Sequence, residues 1–528
     1  MNAAVHELTS DEQEAKRRLR MAWFGYIGMI FGNFMAILDI QIVASSLREI
    51  QAGLSASADE LTWVQTSYLI AEVIAIPLSG YLSRMMSTRV YFVGCAIGFT
   101  LASLMCGLAW NIESMIFFRV LQGFLGGGMI PTTLGSIFLL FPPDKRTLPT
   151  VLVGLAMTTA PALGPSIGGY LTATFSWHWL FFINIIPGTL LSIVVWKNVR
   201  FDQPDWSLLR TIDVFGLAMM ALFLGSLEFV LDEGPRHDWL QDETVRNMSI
   251  AMVIGGVLFF WRAFTSPNPI VQLRTYHNRN FAFGSVVAFV VGVMIYGMVF
   301  IVPTFLGGVR GYNSLQIGKV MMVMGTCMFL TAPLVGRLAT KVDLRILLAY
   351  GLSMVAAGTW LNAHLTAEAG FWQFFWPQVM RGHGFMFCMI TMTGIAIGTL
   401  KPEEVKNGSG LFNLMRNLGG AIGLALINTN LHDRQWFHYS HLSNAISDAR
   451  APVREMLANG GTYLSPELGA NGTAATLGYL HRMVLQQAAV MSFNDVMLMM
   501  SILCVGAVLL LPFADKPPLQ GGGAEPAH

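Results

Sequence analysis

Five ionisable residues stand inside long apolar runs of this chain: Asp39, Glu72, Arg119, Arg381 and Arg416. A charged side chain in a hydrocarbon layer costs several kcal/mol, so each is a functional candidate by default. Asp39 lies about six residues from the outer end of its run and Arg119 about seven from the outer end of its own; at a helical rise of about 1.5 Å both sit about 9–10 Å below the outer surface of the apolar core. A carboxylate and a guanidinium at one level can pair. Contact holds the carboxylate charged and separation lets it take up a proton, which is the chemistry proton coupling needs; a static buried ion pair is the alternative. Glu72 is deeper, about 16 Å from the outer end of its run. A lone carboxylate there carries a proton unless water or a cation reaches it, so Glu72 is a second proton carrier, a polar contact in a cavity, or a neutral group bonded to a neighbour. Gln122, Gly123, Arg381 and Arg416 are further candidates for a cavity lining, with a structural role open for both arginines. Glu228 and Lys319 fall near the ends of their runs, where long side chains reach the surface, and are given no role.

Other chemistries find no residues to carry them. The five cysteines, Cys95, Cys106, Cys327, Cys388 and Cys504, all lie in apolar runs without metal-ligand spacing, which favours small buried hydrophobes over disulfides or a metal site. Gly164-Pro165-Ser166-Ile167-Gly168 formally matches the nucleophile elbow, but no strand-turn-helix pattern surrounds it. No nucleotide-binding loop is present, so neither a catalytic residue nor a cofactor is expected. The near-zero net charge of +1 gives no reason to expect a nucleic acid partner.

The elements that position these residues are membrane helices. Hydrophobic residues make up 54% of the 528 and charged residues 12%, against about 25% charged in soluble domains. Runs of about 18–27 apolar residues, enough to cross a core of about 30 Å, recur about fourteen times. The first five lie near 21–45, 61–82, 88–109, 112–140 and 148–172, the seventh at 211–231 and the last two at 405–428 and 489–513. The polar start, 1–20, has no cleavable leader pattern. Lysine and arginine crowd the segments on the side of both termini, while the short loops on the other side hold only Arg48, Arg236, Arg246 and Arg310. By the positive-inside rule both termini face the cytoplasm, which requires an even number of spans.

The chain also echoes itself. Gly80 to Arg89 matches Gly336 to Arg345, and Gln122-Gly123 leading to Pro143-Asp144 matches Arg381-Gly382 leading to Pro402-Glu403. Two six-span halves in parallel repeat place a transport site between them near the midplane. The expected division is a tail at 1–20, an N-terminal bundle at 21–198, an inserted two-span hairpin at 199–275, a C-terminal bundle at 276–514 and a flexible cytoplasmic tail at 515–528. The C-terminal bundle would hold a long outer loop at 429–488. Loops of that length are either functional or disordered; amphipathic helices are expected at Ser440–Leu457 and Thr476–Gln487, and the loop is either solvated or a docking surface for a partner.

The fifth run, 154–170, is uncharged and dense in glycine and proline: Gly154, Pro161, Gly164, Pro165, Gly168 and Gly169. Such a segment reads as a kinked helix pressed against partners. It also resembles the GP-x-x-GG motif of drug:proton antiporters in the major facilitator superfamily. Further marks are Leu38 to Val43, Trp63 to Glu72, Arg119-Val120-Leu121-Gln122-Gly123 and Phe182 to Gly188. Together they make residues 20–514 similar to the fourteen-span, EmrB type branch of that superfamily. The resemblance implies an all-α membrane fold of two six-helix bundles plus an inserted hairpin. It also implies proton-driven efflux of amphipathic toxic compounds by alternating access across the inner membrane. Asp39 matches the family's first-span acid, Arg119 its fourth-span arginine linked to proton transfer, and Gly164, Pro165, Gly168 and Gly169 its antiporter motif. The implied partners are lipophilic or amphipathic small molecules, protons, the lipid bilayer, a membrane-fusion adaptor and an outer-membrane channel. A transporter of one metabolite, or a sensor that transports nothing, remains the alternative. The chain departs from the family where the loop after the second span should read G-x-L-x-D-R-x-G-R. Arg84 stands in place of the aspartate and Ser87 in place of the second glycine, so the charge latch is either missing or rebuilt.

Overall fold

The computed structural model describes residues 2–142, 145–444, 446, 450–451, 453–455, 458–459 and 472–516. At 2–16, 18, 45, 48, 58–59, 147, 158, 162, 165–166, 314–315 and 472–474 it places backbone alone. Every regular element among the described residues is helical. In chain order the long helices are α1 (Asn2–Ser45), α2 (Ala58–Met86), α3 (Thr88–Gly107), α4 (Ile112–Leu140), α5 (Thr147–Thr174), α6 (Ile185–Asn198), α7 (Val214–Glu233), α8 (Glu243–Thr265), α9 (Arg279–Gly308), α10 (Ser314–Ala339), α11 (Leu344–Leu361), α12 (Phe371–Ala396), α13 (Val405–Asn444) and α14 (Gly472–Leu509). Thirteen segments of the described chain are long and apolar enough to cross a membrane; with α5, which is 28 residues long, they make the fourteen expected.

Side-chain caps fix where several helices begin. Ser57 and Glu60 form a reciprocal box at the start of α2, Asn111 and Ser114 at α4, and Asn313 and Gln316 at α10, each satisfying backbone donors that the first turn leaves open. Asp242 caps α8 in the polar loop between α7 and α8, and the backbone N–H groups of Val245 and Thr244 hold its carboxyl below the usual range.

Helices α1–α6 pack among themselves, as do α9–α14; α13 crosses against α2 and α4, and α5 against α10. The two halves share one packing device. A Cβ on Gly123 of α4 would lie 2.3 Å from the Tyr68 carbonyl oxygen of α2, and one on Gly382 of α12 would lie 2.4 Å from the Met324 carbonyl oxygen of α10. Only glycine allows backbones to approach so closely, so the Gln122-Gly123 and Arg381-Gly382 echo extends from sequence into packing; Pro143 and Asp144 lie outside the described residues. The hairpin α7–α8 leans through α7 on both α2 and α13.

Helix α5 runs from Thr147 to Thr174 as one helix. Two expectations change. Helix α1 starts at Asn2, so the polar start continues the first span as helix. The outer loop expected at 429–488 is in large part helix: α13 continues to Asn444 and α14 begins at Gly472. At about 1.5 Å per residue each is nearly twice as long as the apolar core is thick. The two extensions meet through Tyr439 with His481 at 3.3 Å, and His438 reaches Asp495 at the start of the last apolar run at 2.8 Å. The helix expected at Thr476–Gln487 is therefore part of α14. Of Ser440–Leu457, residues 440–444 belong to α13 and much of the remainder lies outside the described residues, as do 517–528 of the tail.

Candidate functional site

Asp39 is buried in the N-terminal half and every oxygen of its carboxylate is used. Its Oδ2 receives the Arg119 Nη1 donor at 2.6 Å, and its Oδ1 accepts from Gln122 Nε2 at 3.0 Å and from Asn184 Nδ2 at 2.8 Å. Arg119 is 0% exposed and is aimed by three more contacts. Its Nε donates to the Val64 carbonyl at 3.0 Å, its Nη1 also donates to Gln122 Oε1 at 2.8 Å, and its guanidinium lies 4.2 Å from the Tyr68 ring centroid. Among the described residues its Nη2 has no hydrogen-bond partner. The structure thus brings together Asp39, Arg119 and Gln122, and Gly123 lets α2 come close enough for Val64 to reach the guanidinium.

Asn184 was not singled out from sequence as a site residue. The sixth span breaks after a short helix at Trp179–Phe182, and Asn184 sits in the turn before α6. There its amide donates to both Asp39 and Ser103 Oγ, the latter at 3.0 Å. A polar residue beside a helix break in an apolar run is the signal that marks it.

Glu72 lies apart from this network, in a central cavity between the halves. The cavity is lined mostly by apolar side chains, among them Ile37, Leu69, Pro161 and Ile295, with Gln41, Gln65, Tyr296, Arg416 and Asn417 as polar members. Glu228 lines it as well, and this corrects its dismissal: α7 continues to Glu233 and its membrane-crossing stretch to Arg236, so Glu228 is two turns inside the span and only 8% exposed. Arg416 reaches the cavity while its Nη1 contacts Met157 Sδ at 2.9 Å and its Nη2 bonds Asn413. Arg381 stays outside it, fully buried, with Nη1 3.2 Å from Met298 Sδ and, among the described residues, no partner for Nε or Nη2.

The glycine and proline run meets the two regions unequally. Pro161 lines the cavity. Gly164 lies against Gln41 of α1, where a Cβ would come within 2.3 Å, whereas Gly169 has open space and Gly154 has its nearest neighbour, Met389, at 3.7 Å. Gly168 is buried, and the Pro165 side chain lies outside the described residues.

At the end bearing both termini the cavity is closed. Residues 405 and 407–413 of α13, 126–138 of α4 and 387–397 around the end of α12 are buried. Gly80 abuts the Lys406 carbonyl, and a Cβ on it would lie 2.8 Å away. At the opposite end Ile37, Ile40 and Gln41 of α1, Gln65 and Leu69 of α2, and Ala421 and Leu424 of α13 are partly exposed. At the terminus-bearing end, beside the loop where Arg84 stands in place of the expected aspartate, an ion pair joins the linker after α6 to α13. Lys406 Nζ sits 2.6 Å from Asp202 Oδ2 and donates to the Ser83 carbonyl at 3.1 Å. Asp202, from the linker after α6, also accepts from the Thr88 N–H and hydroxyl at 2.7 Å each, so it stands at the N-terminus of α3 where a negative charge is favoured. Ser87 holds φ 72°, ψ 152°, a backbone region suited to glycine and costing other residues about 1–3 kcal/mol; its hydroxyl accepts from the Val90 N–H at 3.5 Å.

Comparison with known proteins agrees with this architecture. The chain is 47% identical to the colistin resistance protein EmrB of Acinetobacter baumannii, over 96% of this chain and 98% of that protein. It is 30% identical to the fatty acid resistance protein FarB of Neisseria gonorrhoeae, covering 93% and 95%, and 29% identical to the multidrug export protein EmrB of Escherichia coli K12, covering 95% and 97%. Among solved structures it superposes on the proton:xylose symporter XylE with a TM-score of 0.59 at 12% identity, covering 95% of this chain and 98% of the other. The human organic anion transporter MFSD10 gives 0.56 at 10% identity, covering 92% and 99%; both likenesses speak to fold alone. Residues 29–424 match the Major Facilitator Superfamily, and with two bundles closing over a central cavity the chain belongs to that family of membrane transporters.

Proposed function

We propose that this protein is a proton-driven exporter of amphipathic compounds, sited in the cytoplasmic membrane with both termini in the cytoplasm. The observation that carries this reading is the buried cluster of Asp39, Arg119, Gln122 and Asn184, set beside a largely apolar cavity that is sealed at the terminus-bearing end. Protonating Asp39 removes the charge that Arg119 answers. Arg119 then keeps only the Val64 carbonyl, Gln122 and the Tyr68 face, and the contacts between α1, α2 and α4 loosen together. Proton binding from the outer side thereby favours one arrangement of the halves and proton release the other. Residues 21–198 and 276–514 are the rocking halves, and 199–275 is the inserted hairpin. Substrate enters from the cytoplasm or the inner leaflet, and Glu72 offers a second proton or substrate contact inside the cavity. The proton gradient supplies the energy, so no cofactor is needed. The printed names of the relatives, multidrug export and colistin resistance, support export of toxic compounds. The paired extensions of α13 and α14 beyond the bilayer support docking of a membrane-fusion adaptor that leads to an outer-membrane channel.

The test is efflux of a panel of lipophilic dyes and weak acids from cells expressing the full chain, with the adaptor co-expressed. At least one compound is expected to leave several-fold faster than from control cells and to lose that advantage when an uncoupler is added. Efflux that persists without a proton gradient would overturn the reading.

A further inference from the structure

We propose that the inserted hairpin is part of the transport site, with its Glu228 and Glu72 of α2 forming a two-carboxylate subsite that selects the cationic group of an amphipathic substrate. The proposal rests on the export reading and adds to it a helix that lies outside the twelve-span repeat.

Three observations carry it. Glu72 is 4% and Glu228 8% exposed, and both line the central cavity. Among the described residues neither makes a hydrogen bond or an ion pair, in contrast to Asp39, whose carboxylate is fully engaged. The next acids along α7 are also engaged: Asp232 bonds Thr66, and Glu233 pairs with Arg236 at 3.4 Å and His237 at 3.3 Å. Third, α7 is seated on α2 at the right level. A Cβ on Gly225 would lie 3.4 Å from Ile70 and 3.5 Å from Ile74, and these residues bracket Glu72 while Glu228 is one turn further along α7.

Two buried carboxylates facing one apolar cavity need counter-charge. The titratable and charged groups near them are Tyr296 on α9 and Arg416 on α13, which line the cavity, with Tyr68 on α2 and Arg119 on α4 near Glu72 and Asp232 a turn away on α7; Arg119 is already paired with Asp39, and α8 carries charge only near its ends, at Glu243, Arg246 and Arg262. Arg416 answers one carboxylate at most and is held by Asn413 and Met157. The remaining charge is met either by protons or by an organic cation. Tyr296 offers the cation an aromatic face, and Ile37, Leu69 and Ile295 receive its apolar body. Because protons and cation compete for the same oxygens, binding of one expels the other, which is the exchange an antiporter requires.

The experiment uses the full chain purified in nanodiscs, with tetraphenylphosphonium as a permanent lipophilic cation and tetraphenylborate as an anion of the same shape. The cation is expected to bind at least tenfold more tightly than the anion, and to acidify a weakly buffered solution as it does. Glu228→Gln is expected to weaken cation binding at least tenfold and to release fewer protons, while Glu228→Asp retains part of both. A thermal unfolding midpoint for each variant separates misfolding from loss of the subsite. Equal binding of the cation by wild type and Glu228→Gln overturns the proposal, as does a wild type that prefers the anion or binds neither ion. Failure of the subsite with uncoupler-sensitive efflux intact leaves the export reading standing. Cation binding without efflux in cells removes the export reading instead.

Discussion

Arg119→Ala is expected to reduce proton-driven efflux to background and to destabilise the protein by about 3–5 kcal/mol, the cost of leaving one member of a buried pair uncompensated. The loss is large because this guanidinium answers several groups at once: Asp39 at 2.6 Å, the Val64 carbonyl at 3.0 Å and Gln122 at 2.8 Å, with the Tyr68 ring over its face. Membrane insertion, which depends on the apolar spans, is retained. Arg119→Lys keeps the charge but has no planar fork to serve Asp39 and Val64 together, so it is expected to recover stability in part and transport poorly. The double variant Asp39→Asn, Arg119→Leu separates structure from function. With both charges gone most of the lost stability returns, yet transport stays at background. Thermal unfolding in detergent and dye efflux in cells measure the two quantities. A double variant that exports normally would reduce the pair to a structural element.

The second large effect is steric. Gly123→Val is expected to prevent accumulation of folded protein, and Gly123→Ala to destabilise it by about 1–3 kcal/mol, the usual range for overpacking a tight core. The first atom a Cβ meets is the Tyr68 carbonyl oxygen at 2.3 Å, followed by two more Tyr68 backbone atoms at 2.9 Å. Backbone cannot swing aside as a flexible side chain does, so α2 and α4 must separate, and the Val64 carbonyl moves away from Arg119. Gly169→Ala is the contrast, since among the described residues nothing lies within 4 Å of its added Cβ, and it is expected to leave the unfolding midpoint unchanged. Expression yield and unfolding midpoints for the three variants check the ranking.

Much of the fold is legible in the sequence because bilayer physics leaves few choices: long apolar runs must be helices. The common depth of Asp39 and Arg119 follows from helical rise alone, which is why two residues separated by 80 positions can be connected on paper. What escapes the sequence depends on lateral packing or on where a helix ends. Asn184 joins the cluster through a turn that interrupts an apolar run, and hydropathy does not register turns. Glu228 was placed near a surface because the apolar run ends before the helix does. The extensions of α13 and α14 read as a loop with separate amphipathic helices because the apolar runs end before the helices do, and their pairing arises only when both are helical. Asp202 pairs with Lys406 from a linker, where sequence offers no reason to look. Arg381 is the opposite case: an evident candidate in sequence, it lies fully buried beside Met298 and away from the cavity.

The most direct measurement of the central claim is transport by purified protein in proteoliposomes, driven only by an imposed pH gradient with an acidic lumen. A permanently charged dye is used so that ion trapping cannot mimic transport. Wild type is expected to accumulate the dye in the lumen as protons leave, and Asp39→Asn, reconstituted to the same density, to stop at equal concentrations on both sides. Equal accumulation by Asp39→Asn would contradict a coupling role for the Asp39 cluster.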